Sequence, residues 1–155
     1  MSEAEKCESE ENATALYKQA SRQYATLALK GNAQAAYTLG FMFEHGEGLE
    51  ENLEKAKKWY ELAAAQSHST ALLDLGRLLV EETDEQQIKK GIQYLIQLSR
   101  TETDSTDNYE GAYTLSKVYH AGKVPKELDK VVEKELRVWF DPNYESSEAS
   151  ENEAK

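Results

Sequence analysis

The sequence has little cysteine, little proline and no long apolar run. Its single cysteine, Cys7, excludes a disulfide within the chain, which is typical of proteins from a reducing compartment. Its two prolines, Pro125 and Pro142, lie late in the chain, so long helices can form before them. No window approaches the ~18 apolar residues of a membrane span, and the first residues lack the basic and apolar stretches of a secretory signal. We therefore expect a cytoplasmic protein.

Positive charge is also scarce. The chain has 29 acidic and 18 basic residues, which gives a net charge of −11 at pH 7. A protein that binds nucleic-acid phosphates or an anionic membrane surface needs the opposite sign, so neither partner is expected. The acidic excess favours a basic or neutral protein partner through electrostatic steering. The alternative is that the charge serves solubility alone.

Motifs that would carry chemistry are missing too. The sequence contains no zinc-protease HExxH, GxSxG, Walker or CxxC pattern. Glu44 and His45 have no obvious third residue with which to bind a metal. The loop from Gly46 to Gly48 could be mistaken for a phosphate cradle, but Glu47 within it would repel phosphate, which favours a turn. We expect no enzymatic activity, no cofactor and no metal.

Helical periodicity runs through most of the chain. Apolar residues recur at three- and four-residue spacing, and no segment shows the alternation of a β-strand. The pattern predicts an all-α fold with seven helices at 14–30, 33–44, 53–66, 70–82, 86–100, 109–121 and 128–140. Glutamate- and serine-rich ends predict disordered acidic tails at 1–12 and 142–155. The helical domain is expected to occupy 13–141.

An internal repeat organises the helices. Leu39-Gly40 is followed 36 residues later by Leu75-Gly76, and Leu115-Ser116 follows after another 40. Periods of this size indicate stacked helix pairs, none of which can bury its apolar face alone. A glycine inside a helix costs about 1 kcal/mol relative to alanine, which is tolerated where another helix approaches closely. Trp59 and Tyr94 are expected to fill the space between adjacent pairs.

The first repeat resembles the Sel1-like repeats, which are related to the tetratricopeptide family. The residues that carry the resemblance are Ala35, Leu39-Gly40, Phe43, Gly46, Gly48, Ala56, Trp59-Tyr60 and Ala63-Ala64. The second repeat keeps Leu75-Gly76 and Tyr94, but Glu82 and Asp84 replace the loop glycines, so a different connection is expected there. The resemblance implies an α-solenoid of about three helix pairs in a right-handed superhelix with a concave face. It also implies a scaffold or adaptor that binds other proteins.

The outward face of the first helix in each pair is the candidate partner-binding surface. Its residues are Gln34, Thr38, Phe41 and His45 in the first repeat, Asp74, Arg77 and Glu81 in the second, and Thr114 and Lys117 in the third. Phe41 is the expected anchor, because aromatic and arginine side chains dominate protein interfaces. The alternative is that Phe41 packs on the preceding helix. Arg77 and Lys117 could instead form salt bridges with Asp74 or Glu81.

Three functions remain open on the sequence alone. The leading hypothesis is an adaptor that binds a protein partner in its concave groove. The alternative is an immunity or antitoxin protein that neutralises a basic toxin by direct binding, since charge complementarity speeds capture. A third possibility is a structural module that associates with itself through its ends.

Overall fold

The structure is a computed structural model that describes residues 3–101 and 106–141. Every regular element in these two ranges is an α-helix, so the predicted all-α fold is confirmed. The helices are α1 (Glu3–Leu29), α2 (Ala33–His45), α3 (Leu53–Ala64), α4 (Ser69–Val80), α5 (Glu85–Ser99), α6 (Thr106–His120) and α7 (Asp129–Phe140).

The helix boundaries from α2 onwards lie within three residues of those predicted, but α1 does not. The sequence predicts a disordered tail as far as residue 12, whereas α1 begins at Glu3. This prediction differs from the structure at residues 3–12, a stretch that contains no glycine or proline and is rich in glutamate, a good helix former. The predicted tail at 142–155 lies outside the described residues.

Side-chain caps and glycines set the ends of the central helices. The side chain of Asn32 accepts a hydrogen bond from the Ala35 amide at 2.8 Å, and Asn52 caps α3 in the same way through Lys55. Asparagine is among the best N-cap residues because its side-chain oxygen satisfies an orphan amide. Gly46 ends α2 in the left-handed region at φ 67°, a conformation that glycine adopts without the steric penalty of a Cβ.

The connection between α4 and α5 is different, as the sequence predicts. It is shorter than the α2–α3 loop and contains no glycine. Asp84 stands just before α5, and its side chain accepts a hydrogen bond from the Gln86 amide at 3.0 Å. The carboxylate therefore starts α5 directly, where the first repeat uses a glycine loop followed by an asparagine cap.

The chain divides into two compact units, and the boundary falls within α4, between Leu75 and Gly76. In the first unit, α2 packs against both α1 and α3. In the second unit, α6 packs against both α5 and α7. These neighbour contacts are those of consecutive helices in a solenoid of helix pairs. The handedness of the superhelix stays a prediction.

The first unit is held together by a close approach of α2 and α3. A Cβ added to Gly40 would lie 2.5 Å from the Tyr60 ring, so the absence of a side chain at Gly40 makes room for that ring. Tyr60 is fully buried, whereas its neighbour Trp59 is only half-buried. Trp59 is therefore not part of the fully buried core, and its expected place between adjacent helix pairs stays a prediction. Adjacent residues lie about 100° apart around a helix, and it is Tyr60 that faces α2.

The second unit has an equivalent approach of α4 and α5. A Cβ on Gly76 would lie 2.8 Å from the side chain of Leu95, and one on Gly91 would lie 2.9 Å from the backbone oxygen of Gly76. Leu95 is fully buried, and the neighbouring Tyr94 is half-buried. Leu95 therefore fills the space beside Gly76, as Tyr60 does beside Gly40, and the expected place of Tyr94 between adjacent helix pairs stays a prediction.

Candidate partner-binding surfaces

Four of the predicted site residues lie along one face of α2. Gln34, Thr38, Phe41 and His45 are spaced three or four residues apart, which places them one above the other on the helix. The Thr38 hydroxyl donates to the Gln34 carbonyl at 2.9 Å. Gln34 and His45 are exposed, whereas Thr38 and Phe41 are half-buried. The face predicted from periodicity thus exists as a surface on the first unit.

Phe41 is neither fully outward nor buried in the core. Its ring stacks on the His45 ring with centroids 4.1 Å apart and an interplanar angle of 24°. Nδ1 of His45 lies 3.1 Å from the Phe41 carbonyl oxygen, which can only accept, so Nδ1 donates this bond. The two rings are therefore held in register with each other on the outward face of α2.

Two further rings, which the sequence analysis did not select, extend this surface. Tyr37 lies 6.5 Å from Phe41 and stacks on His68 at 4.9 Å with an interplanar angle of 16°. Nε2 of His68 donates to the Gln34 side-chain oxygen at 3.1 Å. We call the set Tyr37, Phe41, His45 and His68 the aromatic row. Tyr37 precedes Phe41 by four residues, so helical spacing could have found it.

Carboxylates lie beside the aromatic row. The Tyr37 hydroxyl donates to Asp74 at 3.2 Å, which places this predicted site residue next to the row. Tyr37 also stacks on the buried Tyr60 at 5.5 Å, and the Tyr60 hydroxyl donates to Glu44 at 2.6 Å. Burial, and then this hydrogen bond, raises the pKa of Tyr60 far above its ordinary value. Tyr60 therefore stays protonated and fixes Glu44 at the end of α2.

The other four predicted site residues line a single cavity in the second unit. Arg77 and Glu81 reach it from α4, and Thr114 and Lys117 reach it from α6. The cavity has a volume of about 280 Å³. Arg77 and Glu81 are four residues apart, and Thr114 and Lys117 are three apart, so the two residues of each pair lie on the same face of their helix. The structure therefore brings these four residues together as a group.

Lys123 is a cavity residue that sequence reasoning missed. Its Nζ lies 3.0 Å from Glu81. Lys123 therefore forms a salt bridge with Glu81, a partner that the sequence suggested for Arg77 or Lys117. Lys117 places its Nζ 4.5 Å from the centre of the Tyr113 ring, a cation–π contact. Lys123 follows the end of α6, where helical periodicity carries no signal. We call the lining residues Arg77, Glu81, Thr114, Lys117 and Lys123 the cationic cavity.

Within the described ranges, no cluster of three or more histidine, cysteine, aspartate or glutamate side chains could hold a metal ion. The described helices also include none that is long and apolar enough to cross a membrane.

Comparison with known proteins identifies the first helix pair. Residues 33–68, which span α2, the glycine loop and α3, match the model of the Sel1 repeat family. The chain carries a Sel1 repeat. The match covers the helix pair that presents most of the aromatic row, and it confirms the family that the sequence resembles.

Known proteins share this repeat over short segments. The chain is 45% identical over 42 residues to the chitin synthase regulator SKT5 of Saccharomyces cerevisiae, which covers 27% of this chain and 6% of that protein. It is 44% identical over 54 residues to HRD3B of Arabidopsis thaliana, a component of an ERAD-associated E3 ubiquitin-protein ligase, which covers 35% of this chain and 9% of that protein. It is also 42% identical over 45 residues to the ligase component HRD3 of Candida glabrata, with 29% and 5% covered. The chain thus spans less than a tenth of these relatives.

Proposed function

We propose that this protein is an adaptor that binds a partner protein, and that the aromatic row is one of its contact surfaces. The observation that carries the proposal is the stacked pair Phe41 and His45 on the outward face of the Sel1 repeat. Relatives that share this repeat are named as a regulator of another protein and as components of a ligase complex. Such roles require contacts with other proteins.

The chemistry of the aromatic row favours a basic or neutral partner segment. An arginine or lysine over the Phe41 ring would gain about 0.5–1 kcal/mol from the cation–π contact at an exposed site. Asp74 lies 3.2 Å from the Tyr37 hydroxyl and supplies a carboxylate at the same place. The net charge of −11 would speed the encounter with such a partner at low salt.

The experiment compares capture by the wild type with capture by two matched variants. Phe41→Ala removes a ring of the row, and Phe43→Ala removes a phenylalanine from the same helix outside the row. Tagged proteins retain partners from an extract, and the captured protein is then purified and titrated against each variant. We expect Phe41→Ala to weaken binding about tenfold or more, as for a ~1.4 kcal/mol contact, and Phe43→Ala to bind like the wild type. Circular dichroism verifies that both variants are folded.

Equal loss in both variants, or no loss in either, would remove the aromatic row from the interface. The nature of the captured partner distinguishes the adaptor from the immunity protein, the first two of the three functions that the sequence left open. A basic toxin whose activity falls on binding would favour the immunity protein, whereas a partner that remains active in a larger assembly favours the adaptor. The cytoplasmic location stays a prediction.

A further inference from the structure

We infer that the cationic cavity of the second unit binds an acidic peptide segment. A carboxylate of the peptide meets Arg77 and Lys117, and a neighbouring aliphatic side chain reaches the cavity floor. The inference rests on the proposed function in one respect, because the peptide belongs to a partner protein. The cavity selects an acidic segment, whereas the aromatic row favours a basic or neutral one.

The cavity has charged walls and an apolar floor. Arg77, Lys117 and Lys123 line it and are exposed, so they can meet a ligand from solvent. Val80 and Val118 also line it, and they are only 1% and 5% exposed. A volume of about 280 Å³ suits a few side chains and is too small for a folded element. The lining therefore fits a peptide that places an aliphatic side chain beside a carboxylate.

The local charge of the cavity is opposite to that of the whole protein. Three positive side chains and one negative side chain line it, a net charge of +2 in a chain of net charge −11. Charges more than about 8 Å away are largely screened at physiological salt. At contact distance the three cations therefore decide the sign that a ligand meets, although the rest of the surface repels acidic partners at long range.

The arrangement of donors favours a carboxylate. Arginine binds a carboxylate through two parallel hydrogen bonds, and the Thr114 hydroxyl on α6 adds a neutral donor to the same wall. Glu81 disfavours a carboxylate ligand, because its negative charge repels any anion. Lys123 lies 3.0 Å from Glu81 and offsets this charge, which leaves Arg77 and Lys117 as the cations that meet the peptide carboxylate.

The test is a titration of the ¹⁵N-labelled full chain, followed by NMR, with three short synthetic peptides that have blocked ends. The first alternates leucine and glutamate in a glycine–serine background, the second carries glutamine for glutamate, and the third carries lysine. We expect the glutamate peptide to shift the amides of Thr114, Lys117 and Ala121 in a saturable way. The glutamine and lysine peptides should bind at least tenfold more weakly. Raising the salt concentration should weaken the glutamate peptide most.

Matched variants identify the groups responsible. Arg77→Gln and Lys117→Gln should each weaken the glutamate peptide several-fold, whereas Lys58→Gln, an exposed lysine of the first unit, should not. Ala121→Trp keeps every charge but fills the cavity, since the exposed Ala121 lines it. Ala121→Trp should therefore abolish the part of the peptide affinity that comes from a leucine side chain in the cavity. Each variant is first verified to have the wild-type pattern of amide shifts.

Three results would overturn the inference: no saturable binding of the glutamate peptide, equal binding of the glutamine peptide, or equal losses in Lys58→Gln and Lys117→Gln. Phe41→Ala should leave the titration unchanged, because Phe41 lies in the first unit. Failure of the cavity and failure of the aromatic row are therefore separate outcomes.

Discussion

The two units of the protein solve the same packing problem with different side chains. The buried residues of α2 and α3 are mainly alanine, with Tyr60 as the one large ring, whereas those of α5 and α6 are mainly leucine, isoleucine and valine. Alanine lets helix backbones approach closely, and a single ring then fills the remaining space. Larger aliphatic side chains instead fill the space by interdigitating. The packing of α3 on α2 therefore centres on one ring, whereas the burial in α5 and α6 is spread over several aliphatic side chains.

The exposed surfaces of the two units also differ. The first unit presents stacked rings beside carboxylates, and the second presents a small cavity lined by three cations. One polypeptide can therefore favour basic segments at one place and acidic segments at another. The two tryptophans also divide between the units, with Trp59 in the first and Trp139 in the second. Fluorescence in a Trp139→Phe background thus reports on the first unit, and in a Trp59→Phe background on the second.

The largest expected effect is that of Tyr60→Ala. The substitution removes a fully buried ring and its 2.6 Å hydrogen bond to Glu44, and it leaves a cavity beside Gly40. We expect the free energy of unfolding of the first unit to fall by about 3–5 kcal/mol. Urea denaturation in the Trp139→Phe background measures it.

Tyr60→Phe is the matched control, because it keeps the ring and loses only the hydroxyl. Its cost should be about 1–3 kcal/mol, since Glu44 keeps access to solvent. If Tyr60→Ala costs no more than Tyr60→Phe, the contrast between a single-ring core and a distributed core is incorrect.

The second unit contains a buried carboxylate, Glu135, whose removal should lower the free energy of unfolding. Glu135 of α7 is 5% exposed, accepts from the Ser99 hydroxyl at 2.7 Å and from Arg100 Nε at 2.8 Å, and so joins α7 to the end of α5. Glu135→Ala removes the charged acceptor of both Ser99 and Arg100 and should cost about 1–3 kcal/mol, although the Ser99 hydroxyl keeps the Ile96 carbonyl as an acceptor at 2.9 Å. Urea denaturation in the Trp59→Phe background measures it.

Glu133→Ala is the control for Glu135→Ala, because Glu133 pairs with Arg137 on the surface of the same helix. A surface pair of this kind contributes at most about 1 kcal/mol. Comparable losses from the two substitutions would contradict a specific role for the buried carboxylate in the second unit.

The smallest expected effect concerns the start of α4. Nδ1 of His68 accepts a hydrogen bond from the Ala71 amide at 3.3 Å, and the His68 carbonyl accepts from Leu72 at 3.0 Å, so His68 occupies the N-cap position. His68→Ala should cost the first unit about 1 kcal/mol, as for other N-cap losses. Thermal melting followed by circular dichroism measures it.

His68→Asn separates the cap from the stack on Tyr37, because asparagine caps well but has no ring. Recovery of the wild-type melting temperature by this variant would assign the loss to the cap. No recovery would assign it to the stack, and the aromatic row would then support the fold of the first unit as well as present a surface.

Local signals determined most of the fold in advance. Glycines, asparagine caps and three- to four-residue apolar spacing set the starts and ends of α2 to α7, because each acts within a turn or two of its own position. The repeat of Leu39-Gly40 at Leu75-Gly76 predicted where helices approach closely, and both glycines do lie against a buried side chain. The same spacing placed Arg77, Glu81, Thr114 and Lys117 on the faces that form the cationic cavity.

The sequence by itself therefore determined the helices, their order and the faces that they present, since these follow from propensity and periodicity along one chain. Only the tertiary structure decided that Tyr60 and not Trp59 enters the core, that His68 and Tyr37 join Phe41 in one row, and that Lys123 meets Glu81. Each of these depends on how one helix is rotated and how far it lies from the next. That rotation is set by the best fit of two packed surfaces, to which residues distant in the sequence contribute equally.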